Sequence, residues 1–286
     1  MNLNFARTQQ TRARANGIEL TYDTCGDAQA QPLVLIMGLA AQMIAWDDEF
    51  CAALAARGFR VIRFDNRDLA GQPASAAYTV SDMARDVVGL LDALAIDAAH
   101  VVGASMGGAI AQTLAIEHPQ RLCSLTSIMA SSGDPSLPPP TPEALQLLLT
   151  PTPTDQAGYR RRYVQTWKVL RGPGFPQDEA RDPERAAQTF ARGVYPAGVA
   201  RQIAAIVASG SRKAALASVH VPTLVIHGDA DPLVPVGRGI DVADTVPGAQ
   251  RLIIKGMAHA LPITLWPRII EAIATHAAHV RPSLAG

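Results

Sequence analysis

Along the chain, short runs of adjacent apolar residues alternate with stretches in which apolar side chains recur every three or four positions. Leu33-Val34-Leu35-Ile36-Met37 is the first such run. It is uniform enough for a strand covered on both faces, as strands of a parallel sheet are. Residues 47–57 then read as a helix, with acidic residues in the first turn and Gly58 just past the end. Residues 60–64 form the next strand. A helix over 81–94 has Ser81 as its capping residue and Met83, Val87, Leu90, Leu91 and Leu94 at helical spacing. His100-Val101-Val102-Gly103 reads as a strand, 106–118 as a helix closed by Pro119, and 122–129 as a further strand. This alternation predicts a parallel sheet with right-handed crossovers.

The alternation then stops. Between residues 134 and 153 there are seven prolines, and up to residue 212 the pattern is helical but irregular, including 159–170 and 183–192. The proline-rich stretch 137–142 reads as a stiff entry to this segment, and Arg160-Arg161-Arg162 as a solvated helix face. Strand character returns at Val221-Pro222-Thr223-Leu224-Val225-Ile226, then at 250–254, followed by a helix over 265–279. The expected organisation is therefore a flexible N-terminal arm over 1–16, a core built from 17–133 and 213–286, and a helical insertion over 134–212. At about 150 residues per domain, a chain of 286 fits a core enlarged by an insertion.

Composition narrows the function classes. Lys plus Arg and Asp plus Glu are 25 each, so no net charge exists to gather nucleic acid. Apolar residues at 48% against 17% charged suit a packed core and exclude bulk disorder. No apolar run approaches the ~20 residues of a membrane span. The arm carries Arg7, Arg12 and Arg14 but no apolar core of a secretory leader. Cys25, Cys51 and Cys123 are odd in number and widely spaced, which suits buried thiols in a cytoplasmic protein and gives no metal site.

Gly103-Ala104-Ser105-Met106-Gly107-Gly108 carries the chemistry. It is a G-x-S-x-G motif between an expected strand and an expected helix, the context in which a sharp turn lifts a serine out of a sheet. Small flanking residues are needed where the chain approaches itself, and the Met106 N–H at the helix start is free to donate to a developing oxyanion. A serine hydroxyl needs a base, and such elbows draw acid and base from loops after later strands, in the order serine, acid, histidine. Of seven histidines, His259 follows the last strand in Gly256-Met257-Ala258-His259-Ala260-Leu261-Pro262. His227 reads as a packed residue at a strand end. In His227-Gly228-Asp229-Ala230-Asp231-Pro232, two carboxylates compete. Asp231 lies further into the loop at the sheet's carboxyl edge, and Asp229 suits a turn residue bonding its own backbone.

These motifs, with Met37-Gly38-Leu39, Trp46-Asp47-Asp48-Glu49-Phe50 and Val61-Ile62-Arg63-Phe64-Asp65-Asn66-Arg67-Asp68, resemble the α/β-hydrolase superfamily. More narrowly they resemble bacterial esterases of the aclacinomycin methylesterase-like branch. The resemblance spans nearly the whole core from residue 17 onward. It implies an α/β-hydrolase fold, a mostly parallel central sheet flanked by helices, with the insertion as a helical cap. It also implies Leu39 N–H as the second oxyanion donor beside Met106. Beyond Asp68 the chain departs from the family's usual Gly and Arg-Ser, reading Leu69-Ala70-Gly71-Gln72-Pro73. Met43, Trp46, Tyr163, Trp167 and Phe175 are candidates to line an apolar substrate pocket. The expected activity is cofactor-free hydrolysis of a small, neutral, hydrophobic carboxylic ester by Ser105, His259 and Asp231 through an acyl-enzyme. The same triad also suits lactone, amide, perhydrolysis or carbon–carbon cleavage, and a silent ligand-binding relative is the reading from another class.

Overall fold

A computed structural model describes residues 7–69, 76–176 and 179–279. The strands are β1 (Thr11–Ala15), β2 (Ile18–Cys25), β3 (Gln31–Ile36), β4 (Phe59–Phe64), β5 (Ala99–Ala104), β6 (Leu122–Ile128), β7 (Thr223–Gly228) and β8 (Gln250–Ile254). They form one sheet in the order β1-β2-β4-β3-β5-β6-β7-β8. β1, β2 and β4 pair antiparallel, and every pairing from β4 through β8 is parallel. The central strands are apolar on both faces because both faces are covered. In β3, Val34 and Ile36 point into one core cluster and Leu33 and Leu35 into the other. Successive residues of a strand face opposite sides, so an unbroken apolar run serves two cores at once.

Helices α1 (Asp48–Ala55), α2 (Val80–Ala93) and α3 (Met106–Glu117) connect the first parallel strands. Between β6 and β7 come α4 (Pro142–Leu149), α5 (Gln156–Arg171), α6 (Asp182–Ala191), α7 (Pro196–Ser209) and the short α8 (Lys213–Leu216). Helices α9 (Val236–Thr245) and α10 (Trp266–Ala278) complete the chain. Residues of α2, α3 and α9 fill one core, and those of α1 and α10 fill the other. The chain leaves β3 toward β4 and returns on the opposite side of β3 to β5. The carboxyl ends of β3 and β5 thus flank the switch point at which open α/β sheets collect ligands.

Two local expectations are corrected. Part of the supposed loose arm is strand β1, paired with β2 from Thr11↔Tyr22 to Ala15↔Ile18. Its arginines are exposed, but Ala13 and Ala15, which alternate with them, are buried, so two small inward residues suffice for a strand on the sheet's edge. The cap of α2 is Thr79 rather than Ser81. Thr79 and Asp82 form a reciprocal capping box, while Ser81 Oγ donates to Glu117 at 2.7 Å. Of the loop 69–73, only Leu69 is among the described residues, and it is buried.

Candidate active site

β5 runs straight into α3 through a single residue, Ser105, at φ 56 and ψ −120. That conformation is costly for a non-glycine residue and persists where the surroundings hold it. Here Ser105 N–H donates to the Ile128 carbonyl of β6 at 2.9 Å, and its own carbonyl accepts Gly108 N–H at 2.9 Å. The flanking glycines are demanded by close approach. A Cβ on Gly103 would lie 2.1 Å from the Gly107 carbonyl oxygen, and one on Gly107 would lie 2.1 Å from that of Ile36. The elbow is therefore wedged against the end of β3.

Three of the residues expected from sequence meet in one line. His259 Nε2 stands 3.0 Å from Ser105 Oγ, and its Nδ1 stands 2.8 Å from Asp231 Oδ2. His259 and Asp231 are each 6% exposed, whereas Ser105 is only partly buried. Asp231 Oδ1 accepts the N–H groups of Leu233 and Val234 at 2.9 and 2.8 Å. Burial pushes the Asp231 carboxyl up. The facing His259, hydrogen bonds from His227 and His259, and the Val234 N–H outweigh it and hold the group well below the usual carboxylate range.

Asp229 behaves differently from expectation. It is Asp231 that bonds the local backbone, while Asp229 Oδ1 reaches across to accept Gly256 N–H at 2.6 Å. Together with Ala230 N–H on the Met257 carbonyl at 3.1 Å, this ties the acid loop to the histidine loop. His227 also does more than pack. Fully buried, it places Nε2 2.7 Å from the Val234 carbonyl and 3.5 Å from Asp231 Oδ2.

Met106 opens α3, so its N–H has no acceptor within the helix. Leu39 sits one residue beyond Gly38, where an added Cβ would lie 3.0 Å from Ser105 Cβ. The Leu39 side chain packs on the first core cluster.

The pocket candidates need correction. Met43 is 0% and Trp46 1% exposed. Trp46 stacks on Phe50 at 5.4 Å within the second core, so these two side chains are sealed structure rather than an open lining. Trp167 is half-buried on α5, with its ring 6.0 Å from that of Tyr163 and 5.4 Å from the Arg171 guanidinium. Phe175 packs against the second core.

The insertion touches the site from three sides. Thr141 N–H donates to the Pro232 carbonyl of the acid loop at 2.8 Å. Gly174 lies so close to the histidine loop that a Cβ on it would meet the Gly256 carbonyl oxygen at 2.0 Å. From α7, Gln202 reaches Ala40, the residue after Leu39, at 3.0 Å. Gln202 went unrecognised in the sequence. The signal available was a glutamine on the inward stripe Gly198, Gln202, Ala205 and Ser209, spaced as one helix face. Among the described residues no cluster of His, Cys, Asp or Glu is arranged to hold a metal ion, and no helix is long and apolar enough to cross a membrane.

Comparison with known proteins agrees with this architecture. The family model for the alpha/beta hydrolase fold matches residues 31–264. Rhodomycin D methylesterase DauP of Streptomyces sp. (strain C5) is 34% identical over 285 residues, covering 91% of this chain and 95% of the relative. The 2-hydroxymuconate semialdehyde hydrolase of Pseudomonas sp. (strain CF600) is 29% identical, covering 80% of each chain. Among solved structures, the esterase RhEst1 from Rhodococcus sp. ECU1013 superposes with a TM-score of 0.81 at 21% identity, covering 96% of this chain and all of that one. With a strand-to-helix serine elbow, a mostly parallel sheet and a match across most of its length, the chain is a hydrolase that belongs to the α/β-hydrolase family.

Proposed function

We propose that the chain is a serine carboxylic-ester hydrolase acting on neutral, hydrophobic esters. The observation that carries this reading is the line from Ser105 Oγ through His259 to Asp231, at 3.0 and 2.8 Å. Ester hydrolysis in general has the support of methylesterase relatives. A neutral hydrophobic ester fits a chain with zero formal net charge.

In the proposed reaction, Ser105 Oγ attacks the ester carbonyl carbon as His259 Nε2 takes the hydroxyl proton. Asp231 holds the Nδ1–H tautomer and stabilises the imidazolium that forms. The backbone N–H groups of Leu39 and Met106 receive the oxyanion of the tetrahedral intermediate. Collapse expels the alkoxide, which leaves as the alcohol with the proton from His259. Water, activated by the same histidine, then hydrolyses the acyl-enzyme and returns Ser105. The proposed organisation is a core from 17–133 and 213–286, with 134–212 as a cap over the site. The carbon–carbon hydrolase relative gives the runner-up reading, the same serine acting on an activated carbon–carbon bond.

A panel of nitrophenyl and methyl esters of graded acyl length, with Ser105→Ala alongside, tests the reading. Saturable ester turnover, lost in the variant, is expected. Turnover of a carbon–carbon substrate with no ester turnover would replace it by the runner-up.

A further inference from the structure

The turn after β3 carries a backbone conformation that the insertion holds in place. Ala41 N–H donates to the Gly38 carbonyl at 3.3 Å, closing a four-residue turn. Ala40 has φ 60, while Leu39 is outside the left-handed region. This is the combination of a type II turn, whose third position favours glycine. Alanine there carries a steric cost that must be met by its surroundings.

The surroundings are Gln202. Its Oε1 accepts the Ala40 N–H at 3.0 Å, and its Nε2 donates to the Arg67 carbonyl at 3.0 Å. Gln202 has no exposed surface, so water is not at hand to replace it. The Ala40 N–H belongs to the middle peptide of the turn. That peptide is the one that rotates when a type II turn relaxes to type I, the form alanine prefers.

The rest of the loop is clamped by the same insertion. Gln42 Nε2 donates to the carbonyls of Thr189 and Gly193 at 3.0 and 2.9 Å, and Arg192 donates to Gln42 Oε1 at 2.9 Å. Arg192 also pairs with Asp65 at 2.6 Å, and Asp65 Oδ1 accepts Met43 N–H at 2.8 Å. Leu39 lies between the end of β3 and these fixed points.

We infer that Gln202 is a positioning residue for the oxyanion-binding turn: by holding the middle peptide it fixes the Leu39 backbone, and with it the course of the turn that carries the Leu39 N–H toward the reacting carbonyl, while α7 is seated on the core. The cap then does more than cover the substrate: its docking completes the machinery that receives the negative charge. The inference rests on the esterase reading above.

The test is a double-mutant cycle on the full chain, read as kcat and KM on nitrophenyl butyrate. Gln202→Met keeps the bulk and removes both the acceptor for Ala40 N–H and the donor to the Arg67 carbonyl. It is expected to lower kcat about tenfold with KM within about twofold, a fraction of the loss seen when an oxyanion donor is removed outright. Adding Ala40→Gly, which removes the steric cost of φ 60, is expected to restore at least about threefold in that background. Gln202→Ser, too short to reach Ala40, takes the place of Gln202→Met if the latter does not accumulate as folded protein.

A kcat within twofold of the parent, or a loss that Ala40→Gly does not restore, would each overturn the inference. Ser105→Ala separates the two levels of failure. Full turnover by that variant removes the esterase reading and this inference with it. An inactive Ser105→Ala beside an unimpaired Gln202→Met removes the inference alone.

Discussion

Replacing Asp231 by asparagine should be far more damaging than the same change at Asp229, and hydrogen-bond geometry says why. Asp231 Oδ1 accepts two backbone N–H groups, from Leu233 and Val234 at 2.9 and 2.8 Å. An asparagine keeps both by placing its oxygen there, which puts its NH2 where Oδ2 stood, 2.8 Å from His259 Nδ1. Nδ1 must then accept, so the ring proton moves to Nε2 and faces Ser105 Oγ as a donor. That is the wrong tautomer for taking the serine proton. The carboxylate's charge is lost as well. Opposite unit charges 2.8 Å apart at an effective dielectric near 20 attract by about 6 kcal/mol. At about 1.4 kcal/mol per decade, this is an upper bound of about four decades in rate. Asp231→Asn is therefore expected to lower kcat/KM by about 10³–10⁴-fold at pH 7. Asp229→Asn retains an oxygen for Gly256 N–H, a bond of 2.6 Å in the parent, and should stay within about fivefold. Initial rates on nitrophenyl butyrate, with circular dichroism to verify folding, decide the matter. A reversed ranking, or more than a tenth of parental activity in Asp231→Asn, would refute the reasoning.

Three further outcomes follow from packing and charge. His100 is buried with Nδ1 2.8 Å from Ser124 Oγ, and burial, helped by the His276 charge, pushes its pKa down to about 4. The unfolded chain protonates this ring near 6.5, so it binds more protons than the folded one below that pH. Stability is then lost as pH falls from about 6.5 toward 4, by up to about 3 kcal/mol. Urea unfolding at pH 7.5 and 5 should show a smaller drop for His100→Gln, and an identical drop would contradict this origin. A Cβ on Gly228 would lie 1.9 Å from the Met257 carbonyl oxygen, between the acid and histidine loops. Gly228→Ala should lower ester turnover at least about a hundredfold through misplacement, whereas unchanged kcat would show that the loops yield freely. Arg192→Ala strands Asp65, whose side chain is fully buried, without its 2.6 Å partner. A loss of about 3 kcal/mol is expected in urea unfolding, and less than about 1 would count against a tight seam between insertion and core.

The sheet was legible because its central strands are covered on both faces and so lack polar interruptions, as in β3 and β5. The positions of Ser105, Asp231 and His259 were legible for a related reason. Each lies within five residues of a strand's carboxyl end, and parallel strands deliver those ends to one edge. Edge structure was harder to read. β1 alternates arginine with alanine, and alanine is too weak an apolar signal to reveal an inward face. Burial depth was misread at Met43 and Trp46, since proximity in sequence to the β3 terminus does not say which way a side chain turns. The backbone-bonding role expected of Asp229 falls to Asp231, because two carboxylates two residues apart differ only in the loop geometry each meets. Gln202 was invisible for the deepest reason. Its proposed role depends on Ala40, a partner 162 positions away that the inward stripe of α7 does not identify.

The proposed role of Ser105 is tested most directly by reaction with a fluorophosphonate, followed by mass spectrometry of the digested protein. One adduct per chain is predicted, on the peptide carrying Ser105, absent from Ser105→Ala and strongly slowed in His259→Ala. No adduct on the active parent protein, or an adduct elsewhere while Ser105→Ala still hydrolyses esters, would contradict it.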